Sequence, residues 1–139
     1  MPQIRIPDRP MVTLSPTTDT RVSRSTVIDL TNLVAAAQGD PVLLSYFSAI
    51  REQIQKTANR RTWMTGEATE GIVYVSFVLD ASGAVHSATV LPERSVPSRV
   101  LQEIALRIIK ASGPFPAFPP SIQAPSKTVV VPLEFLLSS

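Results

Sequence analysis

Residues 71–79 (GIVYVSFVL) alternate strictly, with Val73, Val75, Phe77 and Leu79 on one face and Ile72, Tyr74, Ser76 and Val78 on the other. That period of two predicts a strand. Upstream the period changes. Leu43, Phe47, Ile50, Ile54 and Ala58 recur every three or four residues while Glu52, Gln53, Lys56 and Arg60 lie off that stripe, which predicts an amphipathic helix. Asp40-Pro41 starts it as N-cap and first helical residue. It runs to about residue 60, where the Arg60-Arg61 pair suits the C-terminal dipole, with Trp63 close behind. Downstream, "DASG" reads as a hairpin connection in which Gly83 supplies positive φ, and 84–91 (AVHSATVL) is the second strand. A second helix follows on the stripe Leu101, Ile104, Ala105 and Ile108, widened by Leu106 and Ile109. Ser95 is its expected cap, Pro97 falls in its first turn, and Gly113 ends it. The last strand, 127–137 (KTVVVPLEFLL), turns Val129, Val131, Leu133 and Phe135 to one face.

The element order is therefore α-β-β-α-β, an α+β domain. A hairpin followed by a helical crossover places the third strand antiparallel beside the first. Pro132 cannot donate a ladder hydrogen bond and so puts the last strand on an edge. The expected architecture is two helices packed on one face of a three-stranded antiparallel sheet with strand order 2-1-3. Before the last strand, SGPFPAFPPSI (112–122) can be neither helix nor sheet interior. Pro114, Pro116, Pro119 and Pro120 hold it extended, and Phe115 and Phe118 read as plugs pinning it to the core. Residues 1–24 hold four of the thirteen prolines and no aromatic, and are expected to be a disordered Pro/Thr-rich linker. Residues 25–40 form a lead-in in which "TVIDL" suits a short strand and "NLVAAAQ" a short helix, capped by Thr31 or Asn32 and stopped by Gly39. The domain proper is expected to span 41–139.

Composition narrows the function classes. A chain of 139 residues with 44% apolar content supports one domain with a core of its own. The formal charge is only +2 and the basic residues are scattered, without the one-faced footprint of a nucleic-acid binder. The absence of cysteine removes disulfides, thiolate metal sites and cysteine nucleophiles together. No stretch approaches the roughly 18–20 apolar residues of a membrane span. The start lacks an apolar signal core, so any export signal or anchor is expected to lie outside this chain. His86 has no partner His or Cys and reads as a surface residue. Glu67, Glu70, Asp80 and Glu93 fall in or beside loops as solvated acids, with no base or nucleophile at a readable spacing. Nucleophile-elbow, phosphate-loop and dinucleotide patterns are absent. The chain is not expected to be an enzyme, and no catalytic residue, metal or cofactor is expected.

Taken in order, "YFSAIREQIQ", "GIVYVSFVLDASGAV", "VLQEIALRIIKA", "GPFPAFPP" and "TVVVPLEF" resemble the C-terminal domain of TonB-type energy transducers from Tyr46 to Phe135. The second is similar to that family's G-x-V-x-V-x-F-x-[IL]-x-x-x-G-x-[LV] and the last to its closing [IV]-x-[IV]-P-[IL]-x-F. The most specific element is Pro114, Phe115, Pro116, Phe118 and Pro119. Two local patterns depart from the family: "RRTWMTG" stands where a Tyr-Pro is frequent, and "RSVPS" where Ser-Gly is usual. The resemblance implies a periplasmic module of an inner-membrane protein on a proline-rich spacer. Such a module pairs with the TonB-box peptide of a TonB-dependent outer-membrane receptor, and an ExbB/ExbD-type motor supplies proton-motive energy as pulling force.

An exposed edge strand offers unpaired N–H and C=O groups to an extended peptide, which fits that mode on physical grounds. The expected rim is Thr128, Val130, Pro132 and Glu134, with the backbone of Val129, Val131, Leu133 and Phe135 completing the ladder. The alternative is an edge covered by the chain's own "TVIDL" at 26–30, or by a second copy as an edge-paired homodimer. In function, too, a different class stays open: a structural, TolA-like module that tethers or docks without peptide-driven transport. A third is a half-ferredoxin-like accessory domain holding a small molecule.

Overall fold

The computed structural model describes residues 2–7, 27–60, 63 and 70–137. Most of the expected linker (8–24) and the loop containing Glu67 lie outside the described residues. The strands are β1 (Pro2–Arg5), β2 (Val27–Asp29), β3 (Gly71–Asp80), β4 (Val85–Val90) and β5 (Ser126–Leu137). The helices are α1 (Leu33–Ala37), α2 (Pro41–Arg60) and α3 (Arg99–Ser112), with a 3₁₀ turn at Pro92–Arg94.

The class is α+β, but the expected sheet of three strands in order 2-1-3 under two helices is corrected to five strands and three helices among the described residues. The sheet runs β1-β5-β3-β4, and β2 also pairs with β5. All ladders are antiparallel except β2 with β5, which is parallel. The additions come from upstream of residue 41. Part of the expected linker is β1, and the lead-in supplies both β2 and α1, so "TVIDL" and "NLVAAAQ" each take the structure their composition suits. Asn32 caps α1, accepting from Ala35 N–H at 3.0 Å.

The core lies between the sheet and α2 and α3. Val73, Val75, Phe77 and Leu79 of β3 and Val129, Val131, Leu133 and Phe135 of β5 are fully buried. They meet Phe47, Ile50 and Ile54 of α2 and Leu101, Ile104 and Ile108 of α3. Each such side chain contributes roughly 1.5–3 kcal/mol by leaving water. Ile4 and Ile6 join the same core from the β1 segment.

Helix starts follow side-chain chemistry. The Asp40 carboxylate accepts from Val42 N–H at 2.9 Å and Leu43 N–H at 3.3 Å, opening α2. The expected Ser95 cap of α3 is corrected to Ser98, whose hydroxyl accepts from Leu101 N–H at 3.3 Å. Val96 precedes Pro97 and is biased toward extended backbone, so the helix cannot open before the proline. Ser95 instead patches the sheet margin. Its hydroxyl accepts from Tyr74 N–H at 2.9 Å and donates to Leu91 C=O at 2.7 Å.

The proline-rich crossover is tied down at several points. Phe115 is buried and stacks on Phe77 with centroids 5.8 Å apart. Phe118 meets Tyr46 edge-on at 6.1 Å. The Tyr46 hydroxyl donates to Pro116 C=O at 2.8 Å, and burial pushes its pKa up to about 12. Phe115 N–H donates to Gly83 C=O at 2.8 Å and Phe118 N–H to Ala81 C=O at 2.9 Å, so the crossover lies along the β3–β4 turn.

Gly83 makes that approach possible. It sits at φ +96°, and a Cβ there would lie 1.9 Å from the Phe115 carbonyl oxygen. Gly83→Ala must therefore open the turn or push the crossover off it. A loss of at least about 2 kcal/mol is expected, combining left-handed strain with the lost contact. Chemical denaturation of both proteins measures this. A loss below about 0.5 kcal/mol, the scale of an ordinary surface change, would show that the crossover is not seated on the hairpin.

Candidate functional site: the outer edge of the last strand

The direction of each backbone group in β5 follows from its partners. Tyr74 points its N–H to Ser95 and accepts from Leu91 N–H at 2.8 Å, so its polar groups face away from β5. Tyr74 is opposite Pro132, and the pairs two residues away on either side (Ile72 with Glu134, Ser76 with Val130) share that parity. Alternation in an antiparallel ladder then assigns Val129, Val131, Leu133 and Phe135 to hydrogen bonding with β3. Thr128, Val130, Glu134 and Leu136 turn their N–H and C=O groups outward, and Pro132 is also in the outward set. The proline thus sits where its missing N–H costs the β3 ladder nothing.

That outer edge, expected to be open, is covered on both sides of Pro132. β2 runs parallel along Thr128–Val130, and Leu30 N–H continues the pairing to Val130 C=O at 2.8 Å. β1 runs antiparallel along Glu134–Leu137. The physical reason is the one that makes bare edges costly: outward groups on so apolar a strand need partners. Of the expected rim, Thr128 and Glu134 are half-buried, while Val130 and Pro132 are buried. Val129, Val131, Leu133 and Phe135 turn their side chains into the core and their N–H and C=O groups to β3. The expectation that their backbone completes a ladder with a partner is therefore corrected: the outward residues alone can do so. Neither β1 nor β2 reaches Val131–Leu133 in its register, which leaves a break centred on the proline. At the other end of the sheet, β4 pairs with β3 alone among the described strands.

The β1 segment is held by more than its ladder. The Gln55 side-chain amide donates to Ile4 C=O at 2.9 Å and accepts from Ile6 N–H at 3.1 Å. Arg51 donates to Ile6 C=O at 2.9 Å, and Arg5 pairs with Glu134 at 2.7 Å. Arg51 and Gln55 sit four apart on α2, off its apolar stripe. In the sequence they look like any solvated helix face, so nothing there announced their role.

Of the family-like segment, Phe115 is buried, Phe118 and Pro119 are half-buried, and Pro114 and Pro116 are exposed. They brace the crossover and do not line the β5 edge. His86, read as a surface residue with no partner His or Cys, is exposed and pairs with Asp80 at 2.6 Å across the hairpin. Asp80 also accepts from the Ser82 hydroxyl at 2.6 Å and from the Ser82 and Ala84 N–H groups. The Ser82 hydroxyl, then His86, then Ala84 N–H hold its carboxyl well below the usual carboxylate range. The trio has no nucleophile geometry, because Ser82 donates to the acid and not to the imidazole. Glu93 is exposed. Among the described residues no group of His, Cys, Asp or Glu is placed to hold a metal, and no helix is long and apolar enough to cross a membrane.

Two outcomes follow from these contacts. A depressed carboxyl stabilises the fold above its ordinary pKa and loses that contribution as pH falls through the folded value. Asp80→Asn is therefore expected to melt below the parent at pH 7, with the gap shrinking as pH drops below about 4. A gap independent of pH would mean the charge has no part in the turn. Val130→Pro removes an outward N–H. It is expected to abolish the cross-strand nuclear Overhauser effects between Val27–Asp29 and Thr128–Val130 while those between β3 and β5 persist. Loss of the β3–β5 set would overturn the assignment of directions. Comparison of the chain with protein-family models, curated proteins and solved structures finds no match.

Proposed function

We propose that this chain is a peptide-binding adaptor of the energy-transducer kind. It takes an extended receptor peptide by strand addition to the outer edge of β5 and passes on force generated elsewhere. The observation that supports the reading is the use to which that edge is already put. Two separate segments, one parallel and one antiparallel, pair with the same strand on either side of Pro132. An edge that accepts both directions through main-chain groups tolerates varied partner sequences, as an adaptor serving several receptors needs. In this reading the partner is the TonB-box peptide of a TonB-dependent outer-membrane receptor. The module works in the periplasm, with an ExbB/ExbD-type motor engaged through an inner-membrane anchor outside this chain. The braced crossover and the two-helix layer hold β5 rigid, so a pull on the peptide is transmitted along the strand.

The cover over the edge favours a second reading. Among the described residues β1 and β2 cover the outer edge except at Pro132. A module whose edge stays filled would tether or dock through other surfaces, in the manner of a TolA-like envelope domain.

Titration of the isotope-labelled chain with extended peptides from outer-membrane receptors separates the two. The adaptor reading expects shifts along Thr128–Phe135 and in the segments they displace. Absence of shifts at millimolar peptide would reject it in favour of the docking module.

A further inference from the structure

We propose that residues 2–7 are an exchangeable latch in a peptide groove between α2 and β5, and that the groove accepts in trans an extended peptide of aliphatic-cation-aliphatic-proline pattern. The proposal rests on the strand-addition reading for its biological partner, but its geometry stands on the latch itself. Ile4 and Ile6 are 6% and 4% exposed and Pro7 is buried, whereas Gln3 and Arg5 between and beside them face out. That is the alternation of a strand whose inward side chains fill sockets. On one side the backbone pairs with β5 from Glu134 to Leu137. On the other, Gln55 and Arg51 read the backbone of Ile4 and Ile6 through three side-chain hydrogen bonds.

Nearly all of this recognition is addressed to main chain, and the rest asks for two aliphatic side chains and one cation opposite Glu134. Such a site holds any segment with that pattern. The Arg5–Glu134 pair has an exposed guanidinium, its side chain 55% exposed, so it selects register more than it adds strength. The strand is only four residues long, and a short strand at a sheet edge opens more readily than the central strands it covers. The latch is thus a competitor built into the chain. An incoming peptide sees a groove whose affinity is reduced by the fraction of molecules in which it is vacated.

The test uses the full chain and a fluorescent synthetic peptide of residues 2–8, with binding followed by anisotropy and by amide shifts. The double substitution Ile4→Asp, Ile6→Asp empties the groove. Arg5→Glu, at an exposed position, loosens the latch without entering the core. Both are expected to bind the peptide more tightly than the parent, the double variant by about tenfold or more, with shifts at Arg51, Gln55 and Glu134–Leu137. Adding Gln55→Ala should weaken that binding, and a peptide carrying the two Ile→Asp changes should not bind. If folded Arg5→Glu and double variants give no shifts at the groove, or bind no more tightly than the parent, the latch proposal fails. A folded parent and a misfolded double variant leave Arg5→Glu to decide. Receptor-derived peptides separate the two ideas. Binding of the 2–8 peptide without binding of any receptor peptide keeps the latch and rejects the transducer reading. Receptor-peptide binding to parent and loosened variants alike, with no binding of the 2–8 peptide to either, rejects the latch and keeps that reading.

Discussion

A strand with an apolar inner face and unpaired outer backbone cannot sit at the margin of a small sheet without cover, and β5 is that strand. Every second residue from Thr128 to Leu136 turns its backbone outward, away from the ladder with β3. The fold answers with two short strands, and their placement explains why residues far upstream of the compact domain belong to it. Pro132 marks the one point where an outward N–H is not needed, and the cover breaks around it. The cost of unpaired polar groups beside a core therefore determines the architecture at this edge.

The same constraint joins structure to function. Backbone pairing is sequence-tolerant, so an edge that must be covered can be covered in cis or in trans by segments of similar pattern. β1 adds side-chain sockets and the α2 clamp from Arg51 and Gln55 to that pairing, whereas β2 spans only Val27–Asp29 and continues in Leu30. The two halves of the edge differ in direction, β1 running antiparallel and β2 parallel to β5. The crossover from Ser112 to Ile122 lies away from this edge, anchored to the β3–β4 turn through Phe115 and Phe118.

Periodicity made the central elements legible. The Leu43-to-Ala58 stripe and the alternation from Gly71 to Leu79 each bury one face, so their spacing carries the packing directly. β1 was not legible. PQIR is short, polar in half its positions and preceded by no repeating pattern, and its burial depends on a distant strand and on Gln55. "VIDL" hinted at a strand, but its parallel register with Thr128–Val130 is a long-range property that no local pattern encodes. Ser98 displaced Ser95 as the α3 cap because the residue before Pro97 resists helical backbone. The Asp80–His86 pair escaped for a related reason: six residues apart in sequence, they meet only because the hairpin folds back. At the β5 edge the cover by "TVIDL" was legible as an alternative, while the cover by β1 and the clamp from α2 were not.

Native-state hydrogen exchange of the β5 amides tests the central claim most directly. If β1 and β2 are local covers on a rigid strand, the outward amides of Val130, Glu134 and Leu136 are protected but exchange through local opening. Those of Val129, Val131 and Phe135 then exchange only with global unfolding. Unprotected outward amides would mean the edge is bare. Equal protection of both sets would mean the covers are as permanent as the core, and in that case no peptide could take their place.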